Sequence, residues 1–311
     1  MSQFMKKMFY KQRADFEKDA IQRDQNYSLP DDVIEHKNIY YSNDKQKEHR
    51  LDIYYPASKS TSPLPVIINV HGGGLLLGNK EFNRPFCAKL CQAGYLVFSI
   101  EYRLIPDCLF YDQCQDLSNA FDFIKSLLPQ YNGDSSRIYA AGDSGGACLL
   151  LYACAMQNAP RLAKAAGIKP SSISLQALGF ISGMFYTNKK DKIGLFLPRY
   201  LYGKNYKKTA FAPYISPENP EILSALPPSL LVTSKNDYLQ HYTLQFEKAL
   251  AQNNTPHKLI VFPKNKALTH AFSVFEPQLE ESRKAIDVML HFLKKQQMRN
   301  LLNRRKQTFV P

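Results

Sequence analysis

The sequence has no run approaching the roughly 20 consecutive apolar residues needed to cross a bilayer, which argues against a membrane-spanning helix. Its amino-terminal stretch, MSQFMKKMFYKQRADFEKD, is broken by charges where a secretory signal needs an uninterrupted apolar segment, so a cytoplasmic location is expected. The six cysteines, Cys87, Cys91, Cys108, Cys114, Cys148 and Cys154, form no CxxC pair, and none lies beside histidines at metal-ligand spacing. Buried free thiols are expected for most of them, with no disulfide and no structural zinc or other metal. Neither GxxxxGK[ST] nor GxGxxG occurs, which removes the usual phosphate-cradling loops. Acidic residues are in deficit: 27 Asp and Glu face 40 Lys and Arg, a net charge of +13. The basic residues are spread along the chain, in NKKDK (188–192), KNYKK (204–208) and RNLLNRRK (299–306) among other places, and no nucleic-acid-binding module is visible among them. A solvated basic surface is the plainer reading and no nucleic-acid partner is expected, while salt-sensitive binding to an acidic polymer or substrate stays open.

What the 311 residues do contain, with 44% of them apolar, is material for a large core. From residue 50 onward short apolar runs suit buried strands: LDIYY (51–55), VIINV (66–70), YLVFSI (95–100), RIYAA (137–141), SISLQALGF (172–180), SLLVTS (229–234) and KLIVF (258–262). Segments of helical period separate most of them, at 82–94, 112–128, 147–157 and 241–252, with a last one at 277–296. Such alternation predicts an α/β fold, a mostly parallel central sheet covered by helices on both faces. One domain spanning 1–311 is the economical reading. Residues 1 to about 45 and 181 to about 215 fit no clean period and are read as parts of a lid over the carboxyl ends of the strands.

The candidate chemistry begins at GDSGG (142–146), between a predicted strand and a predicted helix. Glycines around Ser144 would let a serine stand on a sharp strand-to-helix bend, although a glycine-rich loop alone would look the same. The strand VIINV runs straight into HGGG (71–74), whose amides could converge on a negative charge, as the oxyanion of acyl transfer requires. A general base has to be a histidine late in the chain. His270, in the loop after the last strand run, is the choice, with His241 as its competitor; His36, His49 and His291 suit structural or exposed positions. Asp237, three residues beyond SLLVTS, can orient that histidine, though by itself it reads as a surface-turn aspartate. The order Ser144, Asp237, His270 matches the α/β-hydrolase order of a serine-histidine-aspartate triad.

With these motifs in place the chain resembles the hormone-sensitive-lipase-like, HGGG-type esterases of the α/β-hydrolase superfamily, over about residues 45–295. YRLIP (102–106) is similar to the family's YRLAP, NDYL (236–239) to its DPL and HAF (270–272) to its HxF. The resemblance implies an oxyanion hole formed by the amides of Gly73, Gly74 and Gly145. It also implies a helical cap built from the amino-terminal segment and an insertion after the sixth strand. Tyr238 stands where the family has proline, His241 where a second acid is common, LFYDQ (109–113) where it has FPAA, and Gly145 where alanine is commoner. The expected activity is hydrolysis of short-chain, acetyl-type carboxylic esters through an acyl-enzyme, without a cofactor. Leu75, Phe185, Phe196 and Leu197 are the expected walls of a compact acyl pocket. Two other readings stand beside it: the same machinery as a carbohydrate deacetylase or arylformamidase-like amidase, and a non-catalytic ligand-binding protein on this fold. The expected partner is a small-molecule ester, and the oligomeric state, a homodimer included, is open.

Overall fold

The structure, a computed structural model, describes residues 3–308, and side chains as far as Gln296, so the basic run at 299–306 lies outside the described side chains. All seven apolar runs become strands of one eight-stranded sheet: β2 (Arg50–Pro56), β3 (Leu64–Val70), β4 (Leu96–Ile100), β5 (Gly133–Asp143), β6 (Leu178–Ile181), β7 (Ser229–Ser234) and β8 (His257–Phe262), preceded by β1 (Val33–Tyr40). Their spatial order is β1-β2-β4-β3-β5-β6-β7-β8. β1 pairs antiparallel with β2 and β2 with β4, while every pair from β4 to β8 is parallel.

Side-chain alternation along these strands feeds two cores. Val66, Ile68 and Val70 of β3, with Leu96, Phe98 and Ile100 of β4, face one side. There they meet α3 (Phe110–Leu127), α4 (Ser144–Asn158), α5 (Pro160–Ala166) and α9 (Gln240–Gln252). Ile67, Val97, Tyr139 and Ala141 face the other side, against α2 (Arg84–Gln92), α10 (Phe272–Phe275) and α11 (Glu280–Thr308). All six cysteines are buried with free thiols, and burial pushes the Cys148 and Cys154 thiols up to about 12.

The sequence expectation misses at two places. Within residues 1–45, read as lid, the chain forms α1 (Gln3–Gln25) and then the edge strand β1. Only Val33 of VIEHKNIY is buried, so this strand shows no apolar alternation; its charged side chains suit an unpaired sheet edge. The SISLQALGF run yields only the four-residue β6, because residues 172–177 do not join the ladder, although Gln176 and Ala177 bond to Ile138 and Ala140 of β5. Between β6 and β7 lie α6 (Lys192–Phe196), α7 (Pro198–Tyr202) and α8 (Pro220–Ala225), all short.

α1 crosses the loops at the carboxyl end of the sheet. Arg13 donates to the carbonyls of Leu76 (3.2 Å) and Ile105 (2.7 Å) and pairs with Asp107 at 2.8 Å. Phe16 stacks on Phe82, and Phe9 packs edge-on against Tyr200 of α7.

Candidate active site

Strand register creates the site. Val70 of β3 lies opposite Gly142 of β5, so HGGG and DSGG leave adjacent parallel strands side by side. Gly146 makes this approach physically possible: a Cβ there would lie 2.3 Å from the carbonyl oxygens of both Val70 and His71. Gly145 is as tightly placed, its notional Cβ falling 2.8 Å from the Leu75 amide nitrogen and 2.9 Å from that of Gly74. Ser144 itself has φ +49°, a left-handed conformation that costs a non-glycine residue about 1–2 kcal/mol and marks a strained elbow. α4 starts at Ser144, three residues earlier than the apolar period predicts, so the first-turn amides that lack intrahelical partners sit at the serine.

The HGGG loop is held from behind by groups that sequence reasoning did not assign. His71 is fully buried, its Nε2 3.0 Å from Glu101 Oε1 and its ring stacked 4.4 Å from that of Tyr102. Burial alone would lower the pKa of His71, but the Glu101 carboxylate reverses the shift and raises it. Tyr102 donates to the His71 carbonyl at 2.7 Å. Leu75, in a left-handed conformation at φ +69°, has its carbonyl fixed by the Ile105 amide (3.0 Å) and the Gln113 side chain (3.1 Å). Among the described residues, neither the Gly73 nor the Gly74 amide donates to another group. Asp143, next to the serine, accepts from the Gly72 amide (3.1 Å) and from Asn83 (2.8 Å), and its complete burial raises its pKa. The visible signal for this scaffold was the EYRLIP stretch, whose glutamate and tyrosine are the two groups that clamp His71.

Asp237 and His270 come together from the loops after β7 and β8. His270 Nδ1 lies 2.7 Å from Asp237 Oδ1, which also accepts from the Leu239 amide at 2.9 Å; Thr233 donates to Oδ2 at 2.9 Å. Burial pushes Asp237 up, but the bond from His270 and the Leu239 amide outweigh it and hold the carboxyl below its ordinary range. This polar neighbourhood leaves one atom open: His270 Nε2 is buried with no hydrogen-bond partner. Ala271, at φ +53°, donates its amide to Ser182 at 2.9 Å, and Met184, two residues further along that loop, donates to the Ser144 carbonyl at 2.9 Å. Tyr238 lies over His270, ring centroids 4.4 Å apart, and is 67% exposed. His241 is exposed and packs against Tyr242, away from this pair.

The four expected pocket residues are not all brought together. Leu75 follows the glycine run directly against Gly145, and Leu197 is buried. Phe185, however, is stacked 4.2 Å from Phe246 inside the core, and Phe196 is 59% exposed on α6. A cavity of about 810 Å³ opens between α1, the start of β2 at Arg50 and the loops carrying Asn79, Glu101 and Arg103. Ser144 and His270 are not among its lining residues.

A family model, BD-FAE, matches residues 51–239, from β2 through Asp237. The chain belongs to the BD-FAE family. This BD-FAE member is similar to the probable isoprenylcysteine alpha-carbonyl methylesterase ICME of Oryza sativa subsp. japonica, 28% identical over 232 residues that cover 70% of this chain and 54% of that protein. The probable isoprenylcysteine alpha-carbonyl methylesterase ICMEL1 of Arabidopsis thaliana is 28% identical over 204 residues, 62% of this chain and 42% of that protein. The chain therefore spans about half the length of these plant relatives. Carboxylesterase NlhH of Mycobacterium tuberculosis (strain ATCC 25618 / H37Rv) is 28% identical over 225 residues, 68% of this chain and 67% of that one. Among solved structures, tributyrin-phosphonate-inhibited esterase B from Lactobacillus rhamnosis superposes with a TM-score of 0.90 at 22% identity, covering 98% of this chain and 99% of that one. A bacterial heroin esterase follows the same course with a TM-score of 0.68 at 21% identity, over 91% and 90% of the two chains. The fold of the BD-FAE member is thus that of the α/β-hydrolase esterases, as its motifs led us to expect.

Proposed function

We propose that this protein is a serine carboxylesterase acting on short-chain, acetyl-type esters. The observation that carries the reading is the His270 imidazole, fixed through Nδ1 by Asp237 while its buried Nε2 is left without a partner. With Nδ1 held on Asp237, the Nε2 lone pair is free to accept a proton from a hydroxyl, and no hydrogen bond from Ser144 reaches it in this structure, as is common before substrate binds. Ser144, on its strained elbow, is the nucleophile. His270 Nε2 accepts the Ser144 proton as Oγ adds to the acyl carbonyl, and Asp237 stabilises the imidazolium that forms. The oxyanion is met by the amides of Gly73, Gly74 and Gly145; the first two have no other described acceptor. His270 then protonates the departing alcohol, and a water molecule repeats the sequence on the acyl-enzyme. No step calls on a cofactor.

Leu75, packed against Gly145, supports the short-chain part of the proposal as an apolar wall, and buried Leu197 is proposed as a second, with the segment between β6 and β7 and helix α1 as the cap over them. The carboxylesterase and methylesterase names of the relatives agree with ester chemistry. The test is hydrolysis of p-nitrophenyl esters from acetate to dodecanoate. A turnover maximum at acetate to hexanoate is expected. A maximum at the longest chains would overturn the short-chain claim, and silence on every ester, with turnover of acetylated sugars or N-formyl aryl amines, would move the same machinery to a different substrate.

A further inference from the structure

The segment between β6 and β7 carries a surface that the catalytic reading does not use. Leu195 is 71% exposed and Phe196 59%, adjacent on α6, and Lys192 shares their helix face at a spacing of three and four residues. A hollow of about 420 Å³ beside them is lined by Lys190, Leu195, Tyr206 and Lys207, so cations from two separate stretches of sequence meet next to the exposed leucine. Lys190, Lys192, Arg199, Lys204, Lys207 and Lys208 are all exposed, and none forms an ion pair with another described residue. From 188 to 211 the only acidic residue is Asp191. Its carboxylate is turned inward, accepting from the Gly194 amide at 2.9 Å and from Tyr242. Lys189 is engaged within the protein, 3.8 Å from Glu218 and over the Tyr186 ring, and Lys207 lies over the Tyr206 ring, while none of the other cations of the segment has a described ionic or ring partner.

A surface that needed only solubility would keep its cations and bury its leucine and phenylalanine. Here the two large apolar side chains stand in the middle of unpaired positive charge, the arrangement that inserts into the acyl boundary while lysines meet anionic headgroups. We propose that α6 and its basic surround dock this protein on an anionic lipid surface, with Leu195 and Phe196 entering the interface. The same segment begins at Ser182 and Met184, which touch Ala271 and Ser144, so docking would set the reaction centre facing lipid-borne or lipid-dissolved esters. The docking itself does not depend on the esterase reading; only that consequence does.

The experiment is vesicle flotation of the full chain with phosphatidylglycerol and, separately, phosphatidylcholine vesicles, at low and high salt. The protein is expected to float with phosphatidylglycerol at low salt, at least about tenfold more than with phosphatidylcholine. Leu195→Ser, and separately Lys190→Glu combined with Lys207→Glu, should each lower that fraction several-fold without moving the thermal unfolding midpoint. Absence of flotation, equal flotation on the neutral vesicle, or flotation indifferent to both variants would overturn the proposal. Retention of binding by Leu195→Ser with loss in the charge variant would also overturn it, pointing to a soluble acidic polymer instead of a lipid interface. Ser144→Ala is expected to float like the wild type, so failure of docking and failure of hydrolysis are read separately.

Discussion

At the carboxyl end of the sheet, charged and polar groups are buried and partnered: His71 with Glu101, Asp143 with Asn83 and Gly72, Asp237 with His270 and Thr233. In the segment from 182 to 228 the pattern is inverted: apart from Lys189, its cations have no described ion-pair partner, and Leu195 and Phe196 are exposed among them. A buried polar group without its partners costs about 1–3 kcal/mol, so the first region tolerates few alternatives in either sequence or geometry. Short helices joined by turns, with few buried polar anchors, are under no such constraint. The difference separates a part of the molecule built to hold atoms still from a part free to vary with what it touches.

The first way to break this contrast is at the serine. Ser144→Ala should lower ester turnover by on the order of 10⁴-fold or more while leaving the unfolding midpoint near that of the wild type, because only Oγ is removed. Turnover surviving in this variant would place the chemistry elsewhere. A smaller effect is expected at Gly145, where the resembling family commonly has alanine. An added Cβ would press on the Gly74 and Leu75 amide nitrogens at 2.8–2.9 Å, so Gly145→Ala has to push the glycine loop back. Turnover should fall, by up to about 10²-fold, with KM changed less, since displaced oxyanion donors act mainly on the transition state. Unchanged turnover would show that the glycine loop relaxes without moving its donors.

Leu197 is 7% exposed and Phe196 59%, although they adjoin in sequence. Leu197→Ala should cost about 2 kcal/mol or more of stability and shift chain-length preference toward longer acyl groups. Phe196→Ala should stay within about 0.5 kcal/mol by urea titration, as exposed substitutions do. A large stability loss at Phe196 would mean that its ring is covered in solution.

Strands buried on both faces, such as VIINV and SLLVTS, announce themselves because water excludes them from any other place, and the motifs at their carboxyl ends inherit their positions from the sheet. β1 was missed because an edge strand keeps its polar residues in solvent and shows no apolar period. Glu101, Gln113 and Asn83 escape the sequence for a different cause: a buried polar residue is recognised by the partner it meets, and these partners lie 10 to 60 residues away. Composition makes Phe185 and Phe196 look alike, and only packing separates the one stacked on Phe246 from the one in solvent.

The smallest effect tests the rule of paired burial away from the reaction centre. His49 is buried between two carboxylates, with Nδ1 2.8 Å from Asp44 and Nε2 3.1 Å from Asp116, which is itself gripped by Arg103 at 2.7 Å. The bond to Asp116, reinforced by Asp44, outweighs burial and raises the pKa of His49. A raised folded-state pKa means that the proton is held more tightly in the native protein, so the stabilisation is fully present below the unfolded histidine's value of about 6.5 and disappears as pH rises through the folded value. At the acid end it is bounded by Asp44, whose pKa the histidine draws down to about 2. His49→Asn should therefore lose most, relative to the wild type, at pH 5 to 6.5, and the two urea midpoints should converge as the solution becomes alkaline. A gap that instead widened with pH would mean that His49 is held neutral, and that the site tolerates an unprotonated ring between two carboxylates.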